Sequence, residues 1–140
     1  MSFLRKLSFF IFLGILFSPY SLLAQDDPKE LSKVYEEQGD LTLAETRALD
    51  LARELYTLAA DADPDNISGN FKAGNAFLQT VGKERAAKYL ERVLAADNEY
   101  RFNILYLIGR SYQYGLDFDK ALDYYNRYRT NLTQNEGYRG

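Results

Sequence analysis

Residues 105–125 read LYLIGRSYQYGLDFDKALDYY, and the same layout stands 35 residues earlier in NFKAGNAFLQTVGKERAAKYL, residues 70–90. Each stretch has a glycine, an aromatic residue three positions after it, an alanine twelve after it and a large residue sixteen after it. A third glycine, Gly39, precedes Gly74 by another 35 residues. A repeat of this length without strand-type alternation indicates one supersecondary unit copied in tandem. The sequence therefore predicts an all-α protein built from stacked helix pairs.

The first copy of the unit is degenerate. It keeps Ala52, Tyr56, Ala59 and Pro64, with one additional residue between its glycine and this set. Apolar residues at helical spacing predict three antiparallel helix pairs, an α-solenoid. The predicted helices lie near residues 28–38, 43–61, 67–80, 83–96, 101–114 and 118–131.

The periodic glycines predict points of close helix approach. A glycine inside a helix costs about 1 kcal/mol relative to alanine, so its repeated use indicates a neighbour that leaves no room for a side chain. Between the pairs, residues 63–66 predict the end of one helix, with Asn66 as the N-cap of the next. Gly82, Gly115 and Asp117 predict tight turns inside the second and third pairs.

The first 24 residues have the layout of a secretory signal peptide. Arg5 and Lys6 precede the apolar run Leu7 to Phe17, and a small residue, Ala24, follows. We therefore expect cleavage before Gln25 and export of the product. The expected location is the periplasm or the outer membrane of a bacterium, with secretion as the second choice.

The apolar run is too short for a retained membrane anchor. Pro19 interrupts it before the roughly 20 apolar residues that a membrane-spanning helix needs. No stable membrane insertion is expected after cleavage. The predicted organisation is a signal peptide at 1–24, a helical repeat domain at 25–132 and a polar tail at 133–140 that starts a linker to further domains.

Composition excludes several classes of function. The chain has no histidine, cysteine or tryptophan, so His/Cys metal sites, thiol nucleophiles and Ser-His-Asp arrangements are absent. Its net charge is -3, and loss of the two leader cations would make it more negative, which disfavours a nucleic-acid partner. An envelope enzyme would need a site made of Asp, Glu, Lys, Arg, Tyr, Ser and Thr, and no motif arranges them. We expect no cofactor, no metal and no enzymatic activity.

The spacing of these residues resembles the tetratricopeptide repeat (TPR). Its pattern runs through a glycine, an aromatic residue, a small residue, an aromatic residue, a second small residue and a proline. Two departures are Asn70, where a bulky residue is usual, and Asn98 in place of a proline. The residues that carry the resemblance are Ala52, Tyr56, Ala59 and Pro64 for the second half of the motif, and Gly74 and Phe77 for the first half.

A narrower resemblance concerns the whole protein. The leader ending Leu22-Leu23-Ala24-Gln25, the phrase at 63–66 and the stretches at 106–112 and 118–125 are similar to the N-terminal region of OmpA-family envelope proteins of Bacteroidetes-type bacteria. In those proteins the repeats precede a propeller-like section and a peptidoglycan-binding domain. The resemblance implies an alternative function, a structural spacer at the start of a longer peptidoglycan-associated protein.

The TPR resemblance implies a ligand groove lined by the first helix of each pair. Asp40, Asn75 and Arg110, each directly after its glycine, would then stack along a concave face that binds a protein or peptide partner. Asn75 and Arg110 would hold a peptide backbone or a carboxylate, or the groove residues are simply solvated. The clamp of chaperone-binding members needs lysines that are replaced here by Phe71 and Asn103. The flanking groove residues are Phe71, Leu78, Asn103, Tyr106, Gln113 and Tyr114.

The final helix predicts an open end of the solenoid. Tyr124, Tyr125 and Tyr128 lie on it, and the residues after Arg129 form no evident polar cap. Either the chain is the front part of a longer protein, or a partner or a second copy covers this end. Self-association through this helix is therefore a further expectation.

Overall fold

A computed structural model describes residues 27–136, and their side chains through residue 134. The predicted signal peptide and its cleavage site lie outside the described residues, as do residues 137–140. The described chain is all-helical, as predicted. A 3₁₀ turn, Lys83–Arg85, precedes the fourth helix. The helices are α1 Pro28–Thr46, α2 Leu49–Ala62, α3 Ile67–Gln79, α4 Ala86–Ala96, α5 Ile104–Tyr114 and α6 Phe118–Glu136.

The helices stack as three consecutive pairs. Each first helix packs on its own second helix, and α3 and α5 also pack on the second helix of the preceding pair. The first helices contact one another as well, α1 with α3 and α3 with α5, and the second helices are farther apart. The first helices therefore form the inner row of the stack. We call the exposed sides of α3 and α5 on this row the inner surface.

The periodic glycines lie where the two helices of a pair come closest, as predicted. A Cβ built on Gly74 would lie 2.6 Å from Cγ of Leu90, well inside van der Waals contact. The small residue at the start of each second helix, Ala52, Ala86 or Ala121, is buried. The same close contact joins Gly39 to the ring of Tyr56 and Gly109 to the ring of Tyr125.

Apolar packing within the second pair fills the centre of the stack. Phe77 of α3 stacks on Tyr89 of α4 with ring centroids 5.7 Å apart, and both rings are almost fully buried. Burial of such a side chain contributes roughly 1.5–3 kcal/mol. Polar contacts also join the second and third pairs. The Ser111 hydroxyl accepts from the Ala87 N–H at 2.8 Å and donates to the Lys83 carbonyl at 2.9 Å, and the Tyr112 hydroxyl donates to Oε1 of Glu91 at 2.7 Å.

Predicted helix boundaries are wrong around the α1–α2 turn, at the start of α5 and at the end of α6. The predicted turn at 39–42 is absent, because α1 runs on to Thr46 and the chain turns at Arg47, which has a φ of 55°. Helix α5 begins at Ile104 rather than 101, after a short turn. Helix α6 continues to Glu136, so the predicted polar tail starts inside a helix. In α1 and α6 the polar residues misled the prediction, because they lie on solvent-facing turns of a continuing helix.

The predicted caps and turns are largely confirmed. Asn66 caps α3 by accepting a hydrogen bond from the Gly69 N–H at 2.9 Å. Gly82 has a φ of 74°, which a residue with a side chain rarely adopts. In the α5–α6 turn, however, the positive φ belongs to Leu116, at 62°, and Gly115 has an ordinary φ of -81°.

Candidate functional site: an aromatic and basic inner surface

Helix α5 presents two tyrosines and an arginine on the inner surface. Tyr106, Arg110 and Tyr114 are spaced four residues apart, so their side chains share one face of the helix. The Arg110 guanidinium lies 5.9 Å from the ring centroid of each tyrosine. Tyr106 is 40% exposed and Tyr114 47%. We call these three residues the tyrosine–arginine patch.

Neighbouring helices hold this patch in place. The Tyr106 ring packs 5.8 Å from the ring of Tyr125 on α6, whose hydroxyl donates to Oε1 of Gln113 at 2.7 Å. On the other side, the Lys83 ammonium lies 5.2 Å from the Tyr114 ring centroid. A hydrogen bond from Arg110, assisted by the charge of Lys83, lowers the pKa of the exposed Tyr114 phenol. The patch is thus aromatic, polar at its edge and positively charged.

The cations along this surface are held by rings rather than by carboxylates. Among residues 27–134, neither Arg110, Lys83 nor Arg101 forms an ion pair. Arg101 instead lies 5.0 Å from the ring centroid of Phe71 on α3. A cation over an aromatic face keeps its charge unpaired with a carboxylate. Lys83 also donates one hydrogen bond, to the Leu78 carbonyl at 2.9 Å. The inner surface of the third pair can therefore accept an anionic group without first breaking a salt bridge.

The inner row of the first pair has the opposite character. The Lys72 ammonium lies 2.7 Å from a carboxylate oxygen of both Glu36 and Asp40, and Asp40 also accepts from the Tyr56 hydroxyl at 2.9 Å. Burial alone would raise the pKa of Glu36, but hydrogen bonds from Lys72, Ser68 and Asn66 outweigh it and lower the pKa. Burial and the Asp40 carboxylate raise the pKa of Tyr56 to about 12. These groups join the first two pairs, and their charged and hydrogen-bonding atoms are already paired with one another.

The structure separates the predicted groove residues into three groups. Tyr106, Arg110, Gln113 and Tyr114 are brought together with accessible side chains. Asp40, although exposed, is engaged with Lys72 and Tyr56, as described above. Phe71, Asn75 and Asn103 are half-buried on or beside the inner surface.

One predicted groove residue is wrong. Leu78 is only 3% exposed and belongs to the hydrophobic core, so it offers no groove surface. The prediction counted positions along a single helix. Such a count does not show which positions of the helix become buried when the pairs stack.

Two residues of this surface were missed by the sequence analysis, Arg101 and Lys83. Arg101 lies in the turn before α5 and Lys83 in the 3₁₀ turn before α4. Both reach the surface from loops, beyond the periodic helix positions. The only sign of these contacts in the sequence is an aromatic residue on the adjacent first helix. The sequence alone does not show that a cation from a loop lies against that ring, because the contact depends on how the helices pack.

An open cleft of about 790 Å³ lies between the end of α4 and the last turns of α6. Its lining mixes apolar and polar groups, and its cation, Arg127, is near Asp123 of the same helix. It therefore offers less to an anionic ligand than the inner surface does. Its apolar lining residues are Leu94, Phe102, Leu105, Tyr128 and Leu132.

Two further properties of the described residues concern other kinds of site. Within 27–136, no three histidine, cysteine, aspartate or glutamate side chains are grouped as a metal ion would require. In the same range no helix combines the length and apolar character that crossing a membrane demands.

Comparison with known proteins identifies the fold. No protein-family model and no curated protein sequence matches the chain. Among solved structures, the second TPR of Spaghetti (RPAP3), bound to the HSP90 peptide SRMEEVD, is similar over 73% of this chain and 93% of that one, with a TM-score of 0.56 and 18% identity. MamA is similar over 79% of this chain and 63% of its own, with a TM-score of 0.60 and 14% identity. A point mutant of MamA gives a TM-score of 0.58 and 25% identity over 77% of this chain and 74% of that one.

These likenesses, with the stacked pairs and their periodic glycines, define the class. The described chain has the TPR fold, a helical repeat in which neighbouring helix pairs bury one another's apolar faces. No relative matches in sequence closely enough to narrow the assignment further. The function of this protein is therefore inferred from the chemistry of its exposed side chains.

Proposed function

We propose that this protein is a TPR-type interaction module that binds an acidic peptide segment of a partner protein on its inner surface. The observation that carries the proposal is the tyrosine–arginine patch, in which Arg110 lies between two exposed tyrosine rings with no carboxylate paired to it among the described side chains. A peptide carboxylate would accept hydrogen bonds from the guanidinium. The flanking rings would supply apolar contact area at low conformational cost.

The rest of the inner surface supports an extended ligand. Arg101 over Phe71 provides a second cation and ring one helix away. The half-buried Asn75, one turn after Phe71 on α3, has both a donor and an acceptor for a peptide backbone. The RPAP3 structure supports the proposal by analogy, since that TPR holds a peptide with acidic residues. Arg110 and Arg101 would take the role of the cations here.

The test uses peptides that differ only in charge. Fluorescent decapeptides composed of Tyr, Phe, Glu, Asp and Gly would be titrated with the full chain, alongside matched peptides with Gln and Asn for Glu and Asp. We expect the acidic set to bind more tightly and more salt-dependently. Arg110→Glu should weaken this binding about tenfold or more, because a charge-assisted hydrogen bond becomes a repulsion.

Lys29→Glu is the matched control. It makes the same change in charge at an exposed position at the start of α1, far along the stack from α5. It should bind as the unmodified chain does. Equal affinity of the Arg110→Glu variant and the unmodified chain for the acidic set would reject the patch as the site.

We further propose that the module is exported and acts in the periplasm or at the outer membrane of a bacterium. The support is the leader at residues 1–24, with its two cations, apolar run and small residue. Expression in a Gram-negative host, fractionation and N-terminal sequencing would test this. A mature chain beginning at Gln25 in the periplasm is expected, and a chain keeping Met1 in the cytoplasm would contradict it.

A spacer role in a longer OmpA-like protein is the second candidate. It is favoured by the resemblance of the leader and of residues 106–125 to those envelope proteins. As a spacer, the chain would hold other domains apart and need no ligand. Arg110→Glu would then leave the host protein's function unchanged. Reading the genomic DNA after the Gly140 codon would show whether a propeller-like section and a peptidoglycan-binding domain follow.

A further inference from the structure

Exposed apolar side chains concentrate at the two ends of the stack. Among the described side chains, 12 large apolar ones are strongly exposed, and only Val81 belongs to the middle pair. The other 11 lie in the first pair, in the third pair or in the turn that leads into it. An exposed apolar patch on a folded domain commonly marks an interaction site. The distribution places two such surfaces at opposite ends of one molecule.

The repeat shows what normally covers the surface at the C-terminal end. Ala87 on α4 is buried and its N–H donates to the Ser111 hydroxyl on α5, and the equivalent Arg53 on α2 is buried and donates to the Thr80 hydroxyl at the end of α3. In the third pair the same position is Leu122, which is 60% exposed. We call Leu122, with the exposed Phe118, the C-terminal face. The equivalents of Leu122 in the first two pairs are each buried against the following pair.

The opposite end presents a helix with the corresponding residues. In α5, Ile104 and Ser111 are the buried residues that meet the preceding pair, and their equivalents in α1, seventy residues earlier, are Val34 and Leu41. Val34 is 50% exposed and Leu41 54%. We call Val34 and Leu41, with the exposed Glu37 between them, the N-terminal face. It is the surface that an internal first helix uses to cover the pair before it.

Charge is complementary between the two faces. At the boundary of the first two pairs, Lys72 bridges Glu36 and Asp40. The equivalent of Lys72 in α1 is Glu37, and the equivalents of Glu36 and Asp40 in α5 are Tyr106 and Arg110. If α1 of one chain covered the third pair of another, Glu37 would lie beside Arg110. The ion pair of the internal boundary would be preserved with its charges exchanged.

We propose that the chain associates head to tail with a second copy, α1 of one molecule covering the C-terminal face of the next in the register of an internal repeat boundary. Such an interface is heterologous, because two different surfaces meet, so each added copy leaves both end faces free. The product is an open assembly that continues the solenoid across molecules. This self-association does not depend on the proposed peptide binding.

Sedimentation velocity of the full chain tests this assembly. From about 10 μM to about 1 mM, the range of weak association, the weight-average mass should rise past that of a dimer without a plateau. Leu41→Asp and Leu122→Asp should each stay monomeric, because each buries a charge in one face. Equimolar mixing of the two variants should restore association but stop at a 1:1 dimer, since only one pair of intact faces remains. Val81→Asp, in the middle pair, should behave as the unmodified chain.

The electrostatic contact is tested by exchanging its charges. Glu37→Arg and Arg110→Glu should each weaken association, and the double variant should recover most of it because the ion pair returns with opposite polarity. Circular dichroism confirms that each variant is folded. Should a leucine variant unfold, Val34→Asp and Phe118→Asp would replace Leu41→Asp and Leu122→Asp.

Several results would overturn the proposal. An unmodified chain that stays monomeric throughout the range excludes it. Dimers formed by Leu41→Asp alone would show that the C-terminal face pairs with itself, and a mixture of the two variants that stays monomeric would show that the faces do not meet. If neither Leu41→Asp nor Leu122→Asp changed the association, the contact would lie elsewhere in the chain, for example in residues 1–26. None of these outcomes would by itself refute peptide binding by Arg110, which is measured separately with the acidic peptides.

Discussion

At Gly74, the space that a side chain would need is occupied by the neighbouring helix. An added Cβ would lie 2.6 Å from Leu90 Cγ and 3.3 Å from the Ala86 carbonyl oxygen, and Leu90 is fully buried. Gly74→Ala should therefore destabilise the protein by about 1–3 kcal/mol from overpacking. This would occur even though alanine favours a helix by about 1 kcal/mol. Urea unfolding followed by circular dichroism measures the change.

Gly115→Ala provides the comparison. Its added Cβ would lie 3.2 Å from Cβ of the exposed Glu84, and its φ of -81° suits any residue. We expect a change in unfolding free energy within about 0.5 kcal/mol, as is typical of surface substitutions. Equal changes in unfolding free energy for Gly74→Ala and Gly115→Ala would contradict the close contact between Gly74 and Leu90.

A second prediction at the residue scale concerns acid stability through Glu36. Its pKa is lowered below the ordinary 4.5, so the folded state favours the ionised carboxylate. The stabilisation is present above the unfolded-state pKa and is lost as the pH falls through the folded-state value. Chemical unfolding at pH values from about 6 to about 3 should show a shallower loss of stability for Glu36→Gln than for the unmodified chain.

The acid-stability experiment has an internal reference in Asp61. Burial raises its pKa, but hydrogen bonds and charges from Lys88 and Arg92 outweigh this and lower it. Asp61 is unchanged in the Glu36→Gln variant, so a residual acid slope should remain. Identical slopes for the two proteins would mean that Glu36 does not link protonation to folding.

The identities of individual residues predicted the core packing better than they predicted the character of the inner surface. The glycine spacing alone located the contacts of Gly39, Gly74 and Gly109, because steric exclusion at a helix crossing depends on a few residues. The character of the inner surface could not be read in this way. Arg101 contacts Phe71 from a turn, whereas Leu78, predicted to be in the groove, is buried in the core. Both facts depend on how pairs stack.

At the scale of elements, the α5–α6 turn contains a strained residue. Leu116 has a φ of 62° and is 73% exposed, so its side chain lacks the packing that usually compensates for this conformation. Leu116→Asn should stabilise the protein by roughly 0.5–1 kcal/mol, since asparagine tolerates the left-handed region. Leu116→Val should destabilise it, because branching at Cβ increases the clash. Thermal unfolding would measure both variants.

The ranking of the two Leu116 variants decides the prediction. A valine variant as stable as the asparagine variant would show that the turn relaxes out of the left-handed conformation. A matched pair at Arg47, which has a φ of 55° at the end of α1, should give the same order. Arg47 is also exposed, so packing does not complicate the comparison.

Helix boundaries were predictable where a local signal exists. Asn66 and Gly82 mark such positions, because a cap or a positive φ depends on one residue type. The ends of α1 and α6 carry no comparable signal. In both, the helix runs on through polar residues, and its length depends on packing against the partner helix and on the termination at Arg47. Composition therefore suggested a turn at 39–42 and a tail from 133, where the structure has helix.

At the scale of the whole molecule, charge changes along the inner row. The first pair contributes Glu36 and Asp40, both bound to Lys72, whereas the third pair contributes Arg110 with no ion-pair partner among the described side chains. One end of the row is therefore saturated and the other is free to bind. The same arginine is the centre of the proposed peptide site and the proposed contact of Glu37 from the next copy.

This shared use of Arg110 predicts competition between peptide and assembly. A bound acidic peptide would occupy the guanidinium, so head-to-tail association should weaken, and by linkage assembly should weaken peptide binding equally. Sedimentation velocity with increasing acidic decapeptide should show the weight-average mass falling towards that of a monomer, whereas the uncharged peptide set should have no effect. Leu122→Asp, which keeps Arg110 free, should bind the acidic peptide at least as well as the unmodified chain at high protein concentration. A mass unaffected by saturating peptide would mean that the two ligands use separate parts of the third pair.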